Sequence, residues 1–288
     1  MKKIVAYAVL ILLLSACGLK DLRSKKLIAD GLSEQNVEKG KTILKNVVTQ
    51  QNLKKLEDYG VYTLIAKDEW YKQYGMNMNP WPGENGVLLE IQSAFNTFDS
   101  RVKWLEGPMK SDIYGIQSWQ AYHIPNNEDI KKITDKKIEF IIPTMQYFIE
   151  LPYRLMNAPI ISYMGEENWN GNDYQRVFVS WDSPEPNHND QYILYINPET
   201  NRVERTTYTI RDNFMWTPKN FYGTAVYSDF KEIEGIELPH KMEVFPFDDT
   251  DGKIVHRFTI EQVELGNFDK NILYPFNDLT VIGDAKVD

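Results

Sequence analysis

The sequence predicts a mainly β protein of the α+β class, an antiparallel sheet with helices packed on one face. Three observations carry this. The second half of the chain is a series of β-branched and aromatic stretches joined by short turns, with no helix-length spacer among them. An apolar stripe at helical spacing stands near the amino-terminal end, and a proline-bracketed apolar segment interrupts the strands in mid-chain. At 288 residues the chain is long enough to bury a core without disulfides.

The first element is not part of that fold. Lys2 and Lys3 precede an unbroken apolar run from Ile4 to Leu14, followed by the small residues Ser15 and Ala16. A membrane-spanning helix takes roughly 20 apolar residues. This run is shorter and matches the apolar region of a secretory signal peptide. Leu14-Ser15-Ala16-Cys17 resembles the lipobox of bacterial lipoproteins, in which the signal peptide is cut before the cysteine and the sulfur is acylated. The resemblance implies lipidation of Cys17, the one cysteine of the chain. Several acyl chains at about 0.8 kcal/mol per buried CH₂ make a stable membrane anchor. The other reading is an ordinary signal peptide that happens to contain a cysteine. Residues 1–16 are therefore expected to be a signal peptide, 17–32 a tether, and 33–288 a single domain. Lys20, Arg23, Lys25 and Lys26 of the tether would lie near lipid headgroups, or the segment is a plain solvated linker.

Removing residues 1–16 takes two of the 32 basic residues and none of the 41 acids, so the formal charge of −9 becomes −11. Such a chain is not drawn to nucleic acid or anionic lipid by charge.

Ser33 suits a helix N-cap, and Val37, Ile43, Leu44, Val47 and Val48 follow on one face, which predicts a helix over 34–51. From Tyr59 the pattern turns to strands: "YGVYTLIAKDEW", "GVLLEIQSAF", "RVKWLEG" and "YGIQSWQAYHI", with an Asn-, Pro- and Gly-rich loop at 74–86. In "KKIEFIIPTMQYFIELPYRLMNA" Pro143 suits a first helical position, where its missing N–H costs nothing, and Pro152 suits a kink or an end. A helix over about 143–156 is expected, with Met145, Phe148, Ile149 and Leu155 inward.

After it come about six strands in an antiparallel meander. Asn170-Gly171 joins two of them as a hairpin, "NPETN" and Glu234-Gly235 join others, and "DDTDG" precedes the last. "QYILYI" is apolar on both faces and should be central and covered on both sides. "RVERTTYTIRD" has charges on both faces, so one face is wet or near an edge.

Catalytic patterns do not emerge. There is no G-x-S-x-G, and His123, His188, His240 and His256 stand far apart, as surface or turn residues rather than metal ligands. Asp248-Asp249-Thr250-Asp251-Gly252 lacks the later Gly and Glu of a calcium loop and reads as a turn. Glu166 and Glu167 are neighbours in a strand and point to opposite faces. No metal or cofactor is expected. The aromatic residues, 13% of the chain, are the remaining signal, as core or as the lining of an apolar hollow. Trp119, Tyr122, Phe148, Ile149, Trp181, Tyr195 and Trp216 are the candidate ligand-binding residues.

Together with the lipobox, four stretches are similar to the LolA/LolB-like lipoprotein-carrier superfamily and to a family of bacterial lipoproteins within it. They are "GIQSWQ" (115–120), "IPTMQYFIELPYRL" (142–155), "DQYILYINPETNRVE" (190–204) and "GIELPHKMEV" (235–244). The resemblance implies a curved sheet or open half-barrel whose hollow takes acyl chains. The chain is longer than the carriers and shows no carrier-specific motif. The implied function is a non-enzymatic lipoprotein of the cell envelope, at the outer membrane, binding a lipid or a lipidated partner. The alternatives are a protein-interaction subunit of an envelope complex, or a hydrolase with an unrecognised site.

Overall fold

A computed structural model describes residues 18–71, 75, 77–81, 85–126, 128–211 and 218–279. The expected signal peptide, Cys17 and Trp216 lie outside the described residues.

The chain begins its sheet in the middle. β1 (Val61–Trp70) is followed outward by β2 (Val87–Ala94), β3 (Ser100–Trp104), β4 (Ile113–Gln117), β5 (Gln120–Ile124) and the edge pair β6 (Lys131–Lys132). A long helix then carries the chain to the opposite edge. From there β7 (Ile160–Trp169), β8 (Asn172–Ser180), β9 (Tyr192–Asn197) and β10 (Arg202–Thr209) step back inward. β11 (Tyr222–Ile233), β12 (Ile236–Pro246) and β13 (His256–Leu265) complete the return, and β13 pairs with β1, Tyr62 opposite Leu265. The result is one curved, open antiparallel sheet of thirteen strands, ordered β6 to β1 and then β13 to β7. The expected meander is present, with seven strands after the long helix.

Two-residue hairpins with a type I′ turn need positive φ at both turn positions. Asn170-Gly171 (φ 50 and 83) and Glu234-Gly235 (φ 52 and 76) meet that need as the sequence announces. Ser118 and Trp119 (φ 50 and 64) do so with two residues that do not announce it, and split "YGIQSWQAYHI" into β4 and β5.

α1 (Lys25–Asp30) precedes α2 (Glu34–Gln50), which is capped by the Ser33 hydroxyl accepting from the Asn36 N–H at 3.2 Å. Ile43, Leu44, Val47 and Val48 of α2 are buried in the main core as the stripe requires. α2 lies so close to β7 that a Cβ on Gly40 would meet the Tyr163 nitrogen at 2.8 Å. A one-turn helix α3 (Leu56–Tyr59) leads into β1. The long helix α4 spans Lys136–Leu155, starting seven residues before the expected position. Asp135 caps it, accepting from the N–H groups of Lys137 (2.9 Å) and Ile138 (3.2 Å), so Pro143 is interior instead of first. α2 and α4 share one core on one face of the sheet.

The outer face carries a second core. Leu22 and Leu27 pack there on Ile160, Met164, Tyr174, Phe178, Ile193 and Tyr195. The Leu22 N–H donates to Gln191 Oε1 at 2.9 Å, and Arg23 pairs with Asp21 and Glu185, both at 2.8 Å. Residues 20–30, read from the sequence as part of a tether, thus lie against the domain. They also explain "QYILYI": Leu194 and Ile196 face the helices while Ile193 and Tyr195 face Leu22 and Leu27. β10 differs from its reading. It is interior, between β9 and β11, and Arg205 is buried with its guanidinium against the Tyr195 ring (4.3 Å) and paired with Asp248. Pairing and stacking are what permit a charge there.

Candidate functional site

Residues of both wings of the sheet and of α4 line a half-open cavity of about 330 Å³. α4 supplies Phe140, Pro143, Thr144, Tyr147 and Phe148. The β2–β3 and β4–β5 turns supply Phe98 and Trp119, while Trp181, Tyr192 and Tyr208 come from the other wing. The rings form a connected wall. Trp119 tilts on Phe98 (4.9 Å between centroids), Phe98 on Tyr147 (6.0 Å) and Tyr147 on Tyr192 (5.9 Å), while Tyr192 stacks on Tyr208 (6.3 Å). Tyr208 then meets Phe148 (5.5 Å), and Trp181 meets Tyr192 (5.9 Å). Such tilted, edge and stacked contacts stabilise by about 0.5–1.5 kcal/mol each and hold the wall in shape without ligand. Burial first, then the neighbouring Tyr147 and Asp190, pushes the Tyr192 hydroxyl far above its ordinary pKa, so it stays neutral.

Polar groups sit around this apolar interior: Glu139, Thr144, Asn189, Asp190 and Thr209. Lys136 bonds Glu139 at 2.8 Å. Asp190 accepts from the Arg211 N–H (2.6 Å) and the Thr209 hydroxyl (3.0 Å). An apolar pocket with a few convergent polar groups is the usual form of a small-ligand site, and its volume falls at the lower end of the range of roughly 300–1,000 Å³.

A buried network fixes α4 behind the cavity. The Glu150 carboxylate, fully buried, accepts from Tyr62 Oη (2.9 Å), Gln146 Nε2 (3.0 Å), the Asn96 N–H (3.0 Å) and Arg154 Nη2 (2.9 Å). Burial raises its pKa against the opposing pull of Arg154 and its other donors. The Arg154 guanidinium in turn lies 4.3 Å from the Phe98 ring centre, supporting the wall from below.

Of the residues singled out in the sequence, Trp119, Phe148 and Trp181 line this cavity. Ile149, the next residue of α4, points with Phe148 into water-sized gaps against Tyr227 and Pro239. Tyr195 stands in the outer-face core, and Tyr122 is fully buried against Gly115 and Phe276. Neither reaches the cavity. Phe98, Tyr147, Tyr192, Tyr208, Glu139 and Asp190 were not anticipated. The signal for Tyr192 was present, since it shares a strand face with Leu194 and Ile196.

Two histidines are buried where surface positions were expected. His256 bonds the fully buried Asp68, which also accepts from Trp70 Nε1 (2.8 Å) and Trp81 Nε1 (2.5 Å), and Trp70 stacks on the imidazole at 4.0 Å. Burial lowers the pKa of His240, whose Nδ1 lies 3.1 Å from the Leu238 carbonyl. Among the described residues no three His, Cys, Asp or Glu side chains converge as metal ligands.

No known family's sequence profile matches the chain, and no curated protein is similar to it in sequence. Solved structures are similar in fold. A DUF1329 family protein from Desulfovibrio piger aligns with a TM-score of 0.53 at 10% identity, covering 85% of this chain and 99% of that one. A domain described as an outer membrane lipoprotein-sorting protein, from Vibrio parahaemolyticus, aligns at 0.50 and 11% identity, covering 83% and 97%. The chain shares the fold of these two proteins. A LolA superfamily protein from Nitrosomonas europaea aligns at 0.45 and 10% identity, over 74% and 88%. Identities this low carry the fold alone and no residue roles.

Proposed function

We propose that this protein is a lipid-anchored, extracytoplasmic binding protein of the cell envelope, without enzymatic activity, that holds an apolar chain under α4. The aromatic-walled cavity carries the reading: its interior is apolar and its wall is braced by Glu150 and Arg154 before any ligand arrives. The lipoprotein-sorting description of the Vibrio relative agrees with an acyl chain or lipidated partner as ligand. Cleavage after Ala16 and acylation of Cys17 supply the anchor, placing residues 18–279 outside the cytoplasm, at the outer membrane. With a formal charge of −11 after that cleavage the chain does not seek nucleic acid.

Filling the cavity tests the reading. Thr144 is half-buried on its wall, so Thr144→Trp places an indole in the ligand's space while leaving the core of α4 intact. Displacement of a fluorescent fatty acid should be saturable in the wild type and weakened at least tenfold in Thr144→Trp, with the urea midpoint little changed. A wild type without saturable binding refutes the reading.

A further inference from the structure

Where the chain enters the domain, the exposed Leu19, Lys219 and Phe247 and the half-buried Lys20 form a small patch at one end of the sheet. The Lys20 N–H donates to the Lys219 carbonyl at 3.0 Å, and the Lys20 ammonium lies 4.3 Å over the Tyr222 ring. Phe247 closes on the same place, its ring 5.4 Å from Tyr222 and 5.8 Å from Phe221. Phe247 is 47% exposed and Leu19 37% exposed, two of the few large apolar side chains in the open among the described residues. Phe247 also holds a φ of 58°. A bulky residue in the left-handed region is an outlier, and such outliers persist where the surroundings enforce them, often at binding sites.

We propose that this patch, Leu19, Lys20, Lys219 and Phe247, rests on the bilayer and directs the cavity rim toward it. The proposal rests on the anchoring at Cys17 set out above. Two residues, Gly18 and Leu19, separate Cys17 from Lys20, so three residue steps span at most about 11 Å of extended chain. Acyl chains on Cys17 therefore hold the patch at headgroup depth, at a high effective concentration of lipid. Asp249 and Asp251 are exposed in the turn after Phe247 and offset Lys20 and Lys219, while Asp248 is taken up by Arg205. The contact therefore depends on apolar insertion and the tether, with little preference for anionic lipid.

The cavity is connected to this patch through one side chain. The Arg211 N–H donates to the rim residue Asp190 at 2.6 Å, and the Arg211 guanidinium donates to the Lys20 carbonyl. With the patch on the membrane, the Asp190 side of the rim lies beside the headgroups. An apolar chain then passes between bilayer and cavity with little exposure to water, which is the costly state for it.

Because Cys17 is acylated and no other cysteine exists, an introduced cysteine takes a thiol-reactive NBD dye alone. Asn220→Cys reports beside the patch, and Glu199→Cys reports from the β9–β10 turn at the far end of the strands. Both are exposed, and both leave Phe247 in place. The full-length lipidated protein is reconstituted in phosphatidylethanolamine–phosphatidylglycerol vesicles with doxyl-labelled lipid, and flotation is measured first. The expected result is several-fold stronger quenching at position 220 than at 199. It should be unchanged when phosphatidylcholine replaces phosphatidylglycerol and reduced by Phe247→Ser. Floating protein with equal quenching at both positions, or stronger quenching at 199, overturns the proposed orientation and leaves the anchor standing. Protein that does not float overturns the anchor, and the orientation with it.

Discussion

Replacing Glu150 with leucine should cost the fold heavily, and the structure sets the size of the loss. The substitution removes the carboxylate that accepts from Arg154, Tyr62, Gln146 and the Asn96 N–H, at a site with no solvent to take its place. The buried guanidinium of Arg154 loses its counter-charge. Breaking a buried ion pair from one side costs about 3–5 kcal/mol. Domains have about 5–15 kcal/mol in total, so this one change removes a large part of the margin. A chain of this size loses about 2–4 °C of Tm per kcal/mol, which gives a fall of roughly 6–20 °C. The paired change Glu150→Leu/Arg154→Met removes both charges and should recover much of the loss, because the cost lies in the stranded charge more than in the missing attraction. Urea unfolding followed by circular dichroism measures all three proteins. A Glu150→Leu loss below about 1 kcal/mol, the range of an exposed pair, or a double variant less stable than the single one, would refute the reasoning.

Two other substitutions are expected to have specific effects. Gly115→Ala should lose about 1–3 kcal/mol by overpacking, because the new Cβ would lie 2.1 Å from the Cζ of the fully buried Tyr122. The urea midpoint reads the loss, and adding Tyr122→Leu should restore part of it. Burial, and then the bond to Glu57, pushes the Tyr153 hydroxyl up to about 12. A folded-state value above the unfolded one of about 10 supports the fold fully below pH 10, and that support is lost as the pH rises through the folded value. Tyr153→Phe should thus be less stable than the wild type at pH 8, with the gap narrowing above pH 10 in unfolding curves taken across that range. A gap that widens there would count against the bond.

Much of the fold was legible because its signals are local. The stripe from Ile43 to Val48 and the Ser33 cap define α2, and Asn170-Gly171 and Glu234-Gly235 define hairpins by a conformation few other pairs adopt. Ser118-Trp119 adopts the same conformation without local preference for it. There the pairing of β4 with β5 and the contact of Trp119 with Phe98 impose the turn. α4 was read short because Pro143 looks like a first residue, whereas Asp135 and the buried positions Ile138, Ile141 and Ile142 continue the helix backward. The cavity was legible only in part. Strand alternation separates Tyr192 from Tyr195 onto opposite faces but does not say which face meets the helices. That depends on Leu22 and Leu27 covering one face, a contact between residues far apart in the chain. Phe98 and Tyr208 come to the site from different wings, which no spacing encodes.

α4 joins these observations. Two interior prolines remove backbone donors from it, and in isolation each costs a helix about 3 kcal/mol. The Thr144 hydroxyl donates to the Phe140 carbonyl at 2.6 Å, a side-chain bond in the turn beside Pro143. The helix therefore owes its stability to the sheet beneath it, against which fifteen of its twenty residues are buried. An apolar interface alone would let such a helix slide, since hydrophobic contact is non-directional. The Glu150–Arg154 network is directional. It ties one helical turn to Tyr62 of β1 and to the backbone at Asn96 and Thr97, and through Arg154 it sets where Phe98 stands. The same bonds that fix the register of α4 thus fix the distance between Phe98 and Tyr147, two sides of the cavity. The buried Glu150–Arg154 pair in this fold thus sets both the register of α4 and the position of an aromatic residue on the cavity wall.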